Sequence, residues 1–529
     1  MASNPYDTDY EIGRDNVQPL GLDIHNPVFA ISAVLIVGFI LFTLLLPEQA
    51  EVVLGGAKAW SISNGDWLFM LSSNVFVLFC LLLIVHPVSR LRLGGSKARP
   101  DFSTLAWFSM LFAAGMGTGL MFWGVAEPVA YYTDWYGTPL NAAPRTPAGA
   151  ETALAATVYH YGLHPWAMYA VVGLSLAFFT YNKGLPLTMR SAFFPILGER
   201  TWGWAGHIID ILAVLATIFG LATSLGLGAA QAASGLDHLF GIGAGLPSQI
   251  AIIVAVTLVA IFSVSRGLDG GVKVLSNFNM ILAAALVAFI IVVGPTLAIF
   301  TGLPTTAMHY VEYLIPLSNW IDRPDESWFH GWTVFYWAWW ISWSPFVGMF
   351  IARVSRGRTV REFVTAVLVV PTLVGIVWMT VFGGTALEQA IDGVGALANG
   401  IDSPSMAMFQ MFENLPLSSV TSLIAIVLVL VFFVTSSDSG SLVIDSITAG
   451  GKIDAPTSQR MFWAAMGGLI ACALLYGGGS TALGSLQAGA IATGLPFTLV
   501  LLVMCYSLFR GLMQEKKAQD MLIRPVAGA

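Results

Sequence analysis

The feature that most constrains this chain is a recurrence of long apolar runs. Stretches of about 20 residues with almost no charge, the length of helix that crosses roughly 30 Å of hydrocarbon, fall at about 28 to 47, 66 to 87, 104 to 126, 152 to 180, 209 to 236, 249 to 265, 274 to 302, 329 to 351, 362 to 386, 419 to 444, 459 to 478 and 488 to 510. Inside a bilayer each such segment must satisfy its own peptide groups, which leaves the helix as its conformation. The sequence therefore predicts an all-α integral membrane protein with twelve transmembrane helices. Composition agrees, since 56% of the 529 residues are hydrophobic and 10% are charged. A net charge of −7 leaves no basic surface and excludes a nucleic-acid partner. Cys80, Cys472 and Cys505 each lie inside an apolar run, far from one another, which fits core residues rather than a metal site or a disulfide framework.

Charge in the connecting segments orients the bundle. With both termini in the cytoplasm, 20 of the 23 Lys and Arg residues fall on the inner side, leaving Lys58, Arg145 and Arg323 outside. The positive-inside rule assigns this topology. The acidic stretch Asp7, Asp9, Glu11 and Asp15 before the first run is unlike a cleavable signal peptide, which carries positive charge there. The expected organisation is a cytoplasmic tail over 1–27, a transmembrane domain over 28–510 and a short cytoplasmic tail over 511–529. The connections near 303–328 and 387–418 are too short for a separate domain, although Thr306 to Asn319 could carry a surface helix.

Two spans invite a break at mid-membrane. The third contains Gly115, Gly117 and Gly119 in alternation, a stretch of low helix propensity. The eighth contains Ser342-Trp343-Ser344-Pro345, where proline leaves the Ile341 carbonyl without its helical donor. Gly115 and Gly119 equally form a small-xxx-small packing face. On the assigned topology the two spans run in opposite directions. Interrupted helices in oppositely oriented halves point to an inverted-repeat secondary transporter, with substrate and ions at the midplane. Spans 3–7 and 8–12 would be the repeats, with two extra helices in front.

The eighth span is also dense in aromatic residues. Trp332, Tyr336, Trp339 and Trp343 share one helical face with Trp340 beside it, and Trp339, Trp340 and Trp343 sit too central for an interfacial belt. Desolvated aromatic faces attract poorly hydrated cations by about 0.5 to 2 kcal/mol per ring, so the cluster suits a quaternary ammonium group. Tyr161, Trp166 and Tyr169 around Pro165 could close the cage from the fourth span. Neither Trp332–Phe350 nor Thr152–Phe179 contains an acidic residue to compete for the cation. His160 and His164 read as hydrogen-bonded structural groups rather than proton carriers.

In the tenth span Phe432, Thr435, Ser436 and Ser439 recur at helical spacing. Hydroxyls on one face, with carbonyls freed by an opened third span, are hard ligands for an alkali cation. The competing reading is that these hydroxyls bond back to their own helix. Asp438 and Asp445 read as structural or gating groups near the cytoplasmic end.

Four segments together carry a resemblance: Ala113-Ala-Gly-Met-Gly-Thr-Gly-Leu-Met-Phe-Trp-Gly-Val-Ala-Glu-Pro128, His160-Tyr-Gly-Leu-His-Pro-Trp-Ala-Met-Tyr169, Phe335-Tyr-Trp-Ala-Trp-Trp-Ile-Ser-Trp-Ser-Pro-Phe346 with Arg353-Val-Ser-Arg-Gly-Arg358, and Phe432-Phe-Val-Thr-Ser-Ser-Asp-Ser439. The chain resembles the betaine/choline/carnitine transporter family over nearly its whole length. The resemblance implies a leucine-transporter-type fold, a homotrimer in the cell (inner) membrane among lipid, and a small onium substrate. Carried over by position, Trp339, Trp340 and Trp343 look like the central cage, Tyr161, Trp166 and Tyr169 like its second wall, and Gly117, Thr118 and Gly119 like the backbone beside the substrate. The carbonyls of Ala113 and Met116 with Phe432, Thr435 and Ser436 look like a sodium site. Thr217 and Phe346 match part of a second sodium site, but Leu221 stands where a threonine would complete it. Glycine at 119 is similar to betaine carriers rather than to proton-coupled choline carriers, which tend to have an acid there. The short tail after Arg510 is unlike the long basic tails of osmotically activated members.

The expected activity is sodium-coupled symport of a betaine-type osmolyte into the cell by alternating access, glycine betaine foremost, with sodium as coupling ion and no other cofactor. Dimethylsulfoniopropionate, choline or carnitine are the alternative substrates, with proton coupling or sodium-independent exchange as alternative modes. The spans hold no nucleophile, base or metal constellation of an enzyme and no repeated filter of a channel.

Overall fold

A computed structural model describes residues 6–115, 117–266, 272–477 and 482–523. Apart from a ladder pairing Asn16–Val17 with Ile24–His25 and one isolated bridge, the regular structure of these residues is helical. Among them ten helices are long and apolar enough to cross a membrane: Val28–Leu45, Pro47–Val85, Pro147–Lys183, Trp204–Phe240, Leu246–Ser265, Val274–Val293, Val360–Ile391, Ser418–Thr448, Thr457–Tyr476 and Leu483–Met521. Outward-facing side chains such as Leu41, Leu78, Leu258 and Ile281 are exposed, as lipid contact requires.

The segments expected as the third and eighth spans are helical as well. The third is divided into Thr104–Gly115 and Thr118–Tyr132, so the expected opening at the glycines is there. The eighth is the Val334–Val354 helix, here called the aromatic helix, and it runs unbroken through Pro345. The expected break there is not found. The reason is Ser344, whose hydroxyl donates to the Ile341 carbonyl at 2.7 Å and replaces the N–H that Pro345 lacks. Of the two expected breaks, the structure contains the one at the glycines.

Two other boundaries differ from the sequence reading. The fourth span pivots at Gly162 between Pro147–Tyr161 and Leu163–Lys183. Pro165 sits in the first turn of the second piece, where an N–H has no helical acceptor anyway. A Cβ at Gly162 would lie 2.6 Å from the Tyr310 hydroxyl, the same oxygen that accepts the Leu163 amide at 2.9 Å. The seventh span ends at Val293, not near 302, and a separate helix over Thr296–Ser318 extends the expected surface helix toward its N-terminus.

The aromatic helix is buried along nearly its whole length. Glycines let neighbouring backbones reach it. Gly348 faces Gly173 so closely that a Cβ on Gly348 would lie 3.0 Å from the Gly173 nitrogen and 2.7 Å from the Val172 Cβ. A Cβ on Gly494 would lie 2.9 Å from the Ala338 carbonyl oxygen. Such contacts exclude any larger side chain at those places.

Residues 6–25 form a strap across one end of the bundle. Tyr6 donates to Gln514 Oε1 at 2.6 Å, Asn16 bonds the Ala449 carbonyl at 3.0 Å, and Asp23 pairs with Lys452. At its centre the fully buried Arg190 pairs with Asp210 at 3.2 Å and donates to His25 Nε2 at 2.9 Å and to the Tyr10 hydroxyl at 3.0 Å. Its guanidinium lies 5.4 Å from the Tyr10 ring centroid.

Burial, with Arg190 and His207 alongside, holds the His25 imidazole down at about 3, against an ordinary 6.5. A detached strap therefore binds a proton between those values that the docked strap refuses, so docking is intact above pH 6.5 and weakens as the pH falls below it. By pH 5 the loss is on the order of 2 kcal/mol, and distances between spin labels at the exposed positions Ile12 and Trp204 should broaden in wild type but not in His25→Asn. Separately, Ser344→Ala should strand the Ile341 carbonyl and cost about 1 to 3 kcal/mol, read as a lower thermal midpoint of the purified protein.

Candidate substrate and ion site

Gly117 caps the Thr118–Tyr132 helix in a fully extended conformation, φ −168° and ψ −173°, and no side chain caps the new N-terminus. The opening amides of that helix have no acceptor within it. Its first turn is nevertheless tied from three sides. The Gly119 carbonyl accepts from the Tyr161 hydroxyl at 3.1 Å, the Leu120 carbonyl from Trp378 Nε1 at 3.1 Å, and the Met121 carbonyl from Gln231 Nε2 at 2.7 Å.

Against this turn stands the aromatic cluster. The rings of Trp339 and Trp340 stack at 4.5 Å and 13°. Tyr161 and Tyr169 meet Trp340 edge-on at 5.5 and 6.4 Å, and Trp166 meets Tyr169 at 5.3 Å. Indole hydrogens are spent on backbone: Trp340 Nε1 donates to the His160 carbonyl at 2.9 Å and Trp166 Nε1 to the Tyr161 carbonyl at 3.2 Å. The rings are thereby fixed in tilt, and Phe335 stacks on Trp339 at 5.5 Å and Tyr336 on Trp340 at 5.9 Å. Trp343 packs instead on Phe346 at 4.7 Å.

The glycines differ in what surrounds them. A Cβ on Gly119 would lie 3.2 Å from Trp339, 3.4 Å from Trp340 and 3.5 Å from the Tyr161 oxygen, so this backbone forms one wall of the cluster. A Cβ on Gly117 would meet nothing within 4 Å. Thr118 is buried, its methyl group packed on Gly228. A Cβ at Gly228 would also contact Val429 and Phe433, so the turn lies across one glycine from the Ser418–Thr448 helix.

That helix carries the expected ion ligands. Ala113 lies in the last turn before the break, where carbonyls have no helical donor, and Met116 lies outside the described residues. The Thr435 hydroxyl donates back to the carbonyls of Val431 at 2.9 Å and Phe432 at 3.1 Å, keeping its lone pairs available. Thr435 and Ser436 are half-buried and Phe432 is buried. Thr217 donates to the Ala213 carbonyl at 2.6 Å. Leu221 is fully buried, its methyl carbons facing Gly440 and Gly467, a packing role in place of an oxygen ligand.

A buried polar cluster behind the cage escaped the sequence reading. Glu127, fully buried, accepts from the Tyr131 hydroxyl at 2.7 Å and the Tyr336 hydroxyl at 2.5 Å, and meets His160 Nδ1 at 2.6 Å. His160 Nε2 lies 3.0 Å from the Thr333 hydroxyl. His160 is thus hydrogen-bonded on both nitrogens, and His164 meets Asn74 at 3.0 Å. The available signal was spacing, because Glu127 follows Gly119 by about two helical turns.

Comparison with known proteins places the whole assembly. Residues 27–517 match the model of the betaine/carnitine/choline family of transporters. Glycine betaine transporter 1 of Vibrio parahaemolyticus is 63% identical over 96% of this chain and 98% of its own length. A glycine betaine/proline/choline/ectoine transporter of the same organism is 59% identical over 97% of this chain and 91% of its own, and a glycine betaine transporter of Acinetobacter baylyi is 40% identical over 92% and 73%. With an opened third span facing an aromatic cluster and a match of this extent, the chain belongs to the betaine/carnitine/choline transporter family.

Proposed function

We propose that this protein is a sodium-coupled symporter that carries glycine betaine into the cell by alternating access. The observation that carries the reading is the stack of Trp339 on Trp340, edged by Tyr161 and Tyr169, directly against the Gly119 backbone. The ring faces take the trimethylammonium group. The free amides at the start of the Thr118–Tyr132 helix take the carboxylate, where the helix dipole favours an anion. Relatives named for glycine betaine support this choice of substrate.

Sodium sits, in this reading, between the carbonyls of Ala113, Met116 and Phe432 and the hydroxyls of Thr435 and Ser436. One ion entering down 100 mV yields about 2.3 kcal/mol, and a tenfold concentration gradient adds about 1.4. Together these sustain accumulation on the order of several hundredfold. Leu221 argues for a single ion, since it removes an oxygen from the second site that Thr217 and Phe346 would otherwise share. The functional unit is a twelve-span, inverted-repeat bundle, trimeric in the cell membrane, with both termini cytoplasmic.

The test is uptake of labelled glycine betaine into proteoliposomes under an inward sodium gradient, with potassium as control. Sodium-dependent accumulation is expected, and equal uptake in both buffers would overturn the coupling. Trp340→Leu should raise KM about 2- to 30-fold, the equivalent of one lost desolvated ring. A normal KM in that variant would remove the cage from the mechanism. Thr435→Ala with Ser436→Ala should raise the sodium concentration for half-maximal uptake while leaving the protein folded.

A further inference from the structure

We infer that Glu127 is a countercharge for the cage, a buried carboxylate one ring behind it that allows the site to hold a net cation such as choline as well as a zwitterion such as glycine betaine. The inference rests on the onium-transport reading above and deepens it. Both carboxylate oxygens face donors: Tyr131 and His160 on Oε1, Tyr336 on Oε2. The Tyr336 hydroxyl is 2.5 Å from Glu127 but 3.4 Å from the Tyr161 hydroxyl, so its hydrogen goes to the carboxylate. An ionised carboxylate accepts from all three groups at once.

The tautomer of His160 decides the net charge. Nε2 lies 3.0 Å from Thr333 Oγ1, and that contact is the hydroxyl's hydrogen bond among the described residues. With the Thr333 hydroxyl donating to Nε2, His160 is neutral and its proton lies on Nδ1, toward Glu127, and this is the state the proposal assigns. Arg323 approaches from the far side of Trp328, 5.6 Å from that ring's centroid, but it is already neutralised by Asp325 at 2.8 Å. In that state one negative charge remains in the cluster.

Rings connect that charge to the cage. His160 stacks on Tyr336 at 4.4 Å and 21°, and Tyr336 on Trp340 at 5.9 Å and 28°. Little solvent intervenes, since Glu127, His160 and Tyr336 are all fully buried. Unscreened charge acts over such a distance. A zwitterion presents both signs to it and gains little, whereas a net cation gains the full attraction.

The test is binding of glycine betaine and of choline to the full-length protein, followed by tryptophan fluorescence, in wild type, Glu127→Gln and Glu127→Asp. Glu127→Gln should weaken choline about tenfold more than glycine betaine, and Glu127→Asp should keep the wild-type ratio. An equal loss for both ligands, or an unchanged ratio, would overturn the inference and leave Glu127 a structural anchor. Should Glu127→Gln fail to fold, the double variant E127Q/H160Q, whose two amides can pair, removes the charge while keeping the bond and is read against the same ratio. A wild type that binds neither compound would instead sink the transport reading itself.

Discussion

A peptide group stranded in hydrocarbon has no water to turn to, and this requirement governs every irregularity in the bundle. The structure meets it with side chains. The carbonyl freed by Pro345 is taken by Ser344, and the new helix after Gly162 receives the Tyr310 hydroxyl as its first acceptor. At the end of the preceding helix, the His160 carbonyl accepts the Trp340 indole. The opening at Gly117 differs in kind. Its far side is pinned by Tyr161, Trp378 and Gln231, yet its N-terminal amides receive no side chain. An uncapped helix end between the two pieces of one span is where a polar ligand finds unpaired donors.

Close packing supplies the second half of the site. Glycines at 173, 348 and 494 bring neighbouring helices against the aromatic helix at distances no side chain would permit, so its rings are held by backbone rather than by flexible groups. Rigid rings present constant faces, and a cation can then be bound without first paying to order its cage. Gly119 shares this logic, because any Cβ there would press into Trp339, Trp340 and Tyr161 at once. An acid at that position would require the cluster to be built differently.

The parts of the structure that were legible in the sequence are those set by local rules. Long apolar runs marked the membrane helices, and the Gly115 to Gly119 alternation marked the opening, because hydropathy and glycine content act on the segment that carries them. The unbroken aromatic helix was not legible, since its continuity turns on the direction of one hydroxyl at Ser344. Gly162 outranked Pro165 as the pivot because a proline in a first turn costs no hydrogen bond, a fact visible only once the helix start is known. The Glu127 cluster unites residues at 127, 131, 160, 333 and 336, and no window of sequence holds them together.

The strap has a consequence for how the chain comes to be made. Tyr6 finds Gln514, and Asp23 finds Lys452, partners more than 400 residues away. During synthesis the strap can meet Arg190 and Trp202 early, but its ties to Lys452 and Gln514 wait until the last helices are in the membrane. Contacts of such separation also form late for entropic reasons. A bundle arrested part-way would carry its strap tied at Arg190 but open at Lys452 and Gln514, leaving incomplete molecules physically distinguishable from finished ones at the membrane surface.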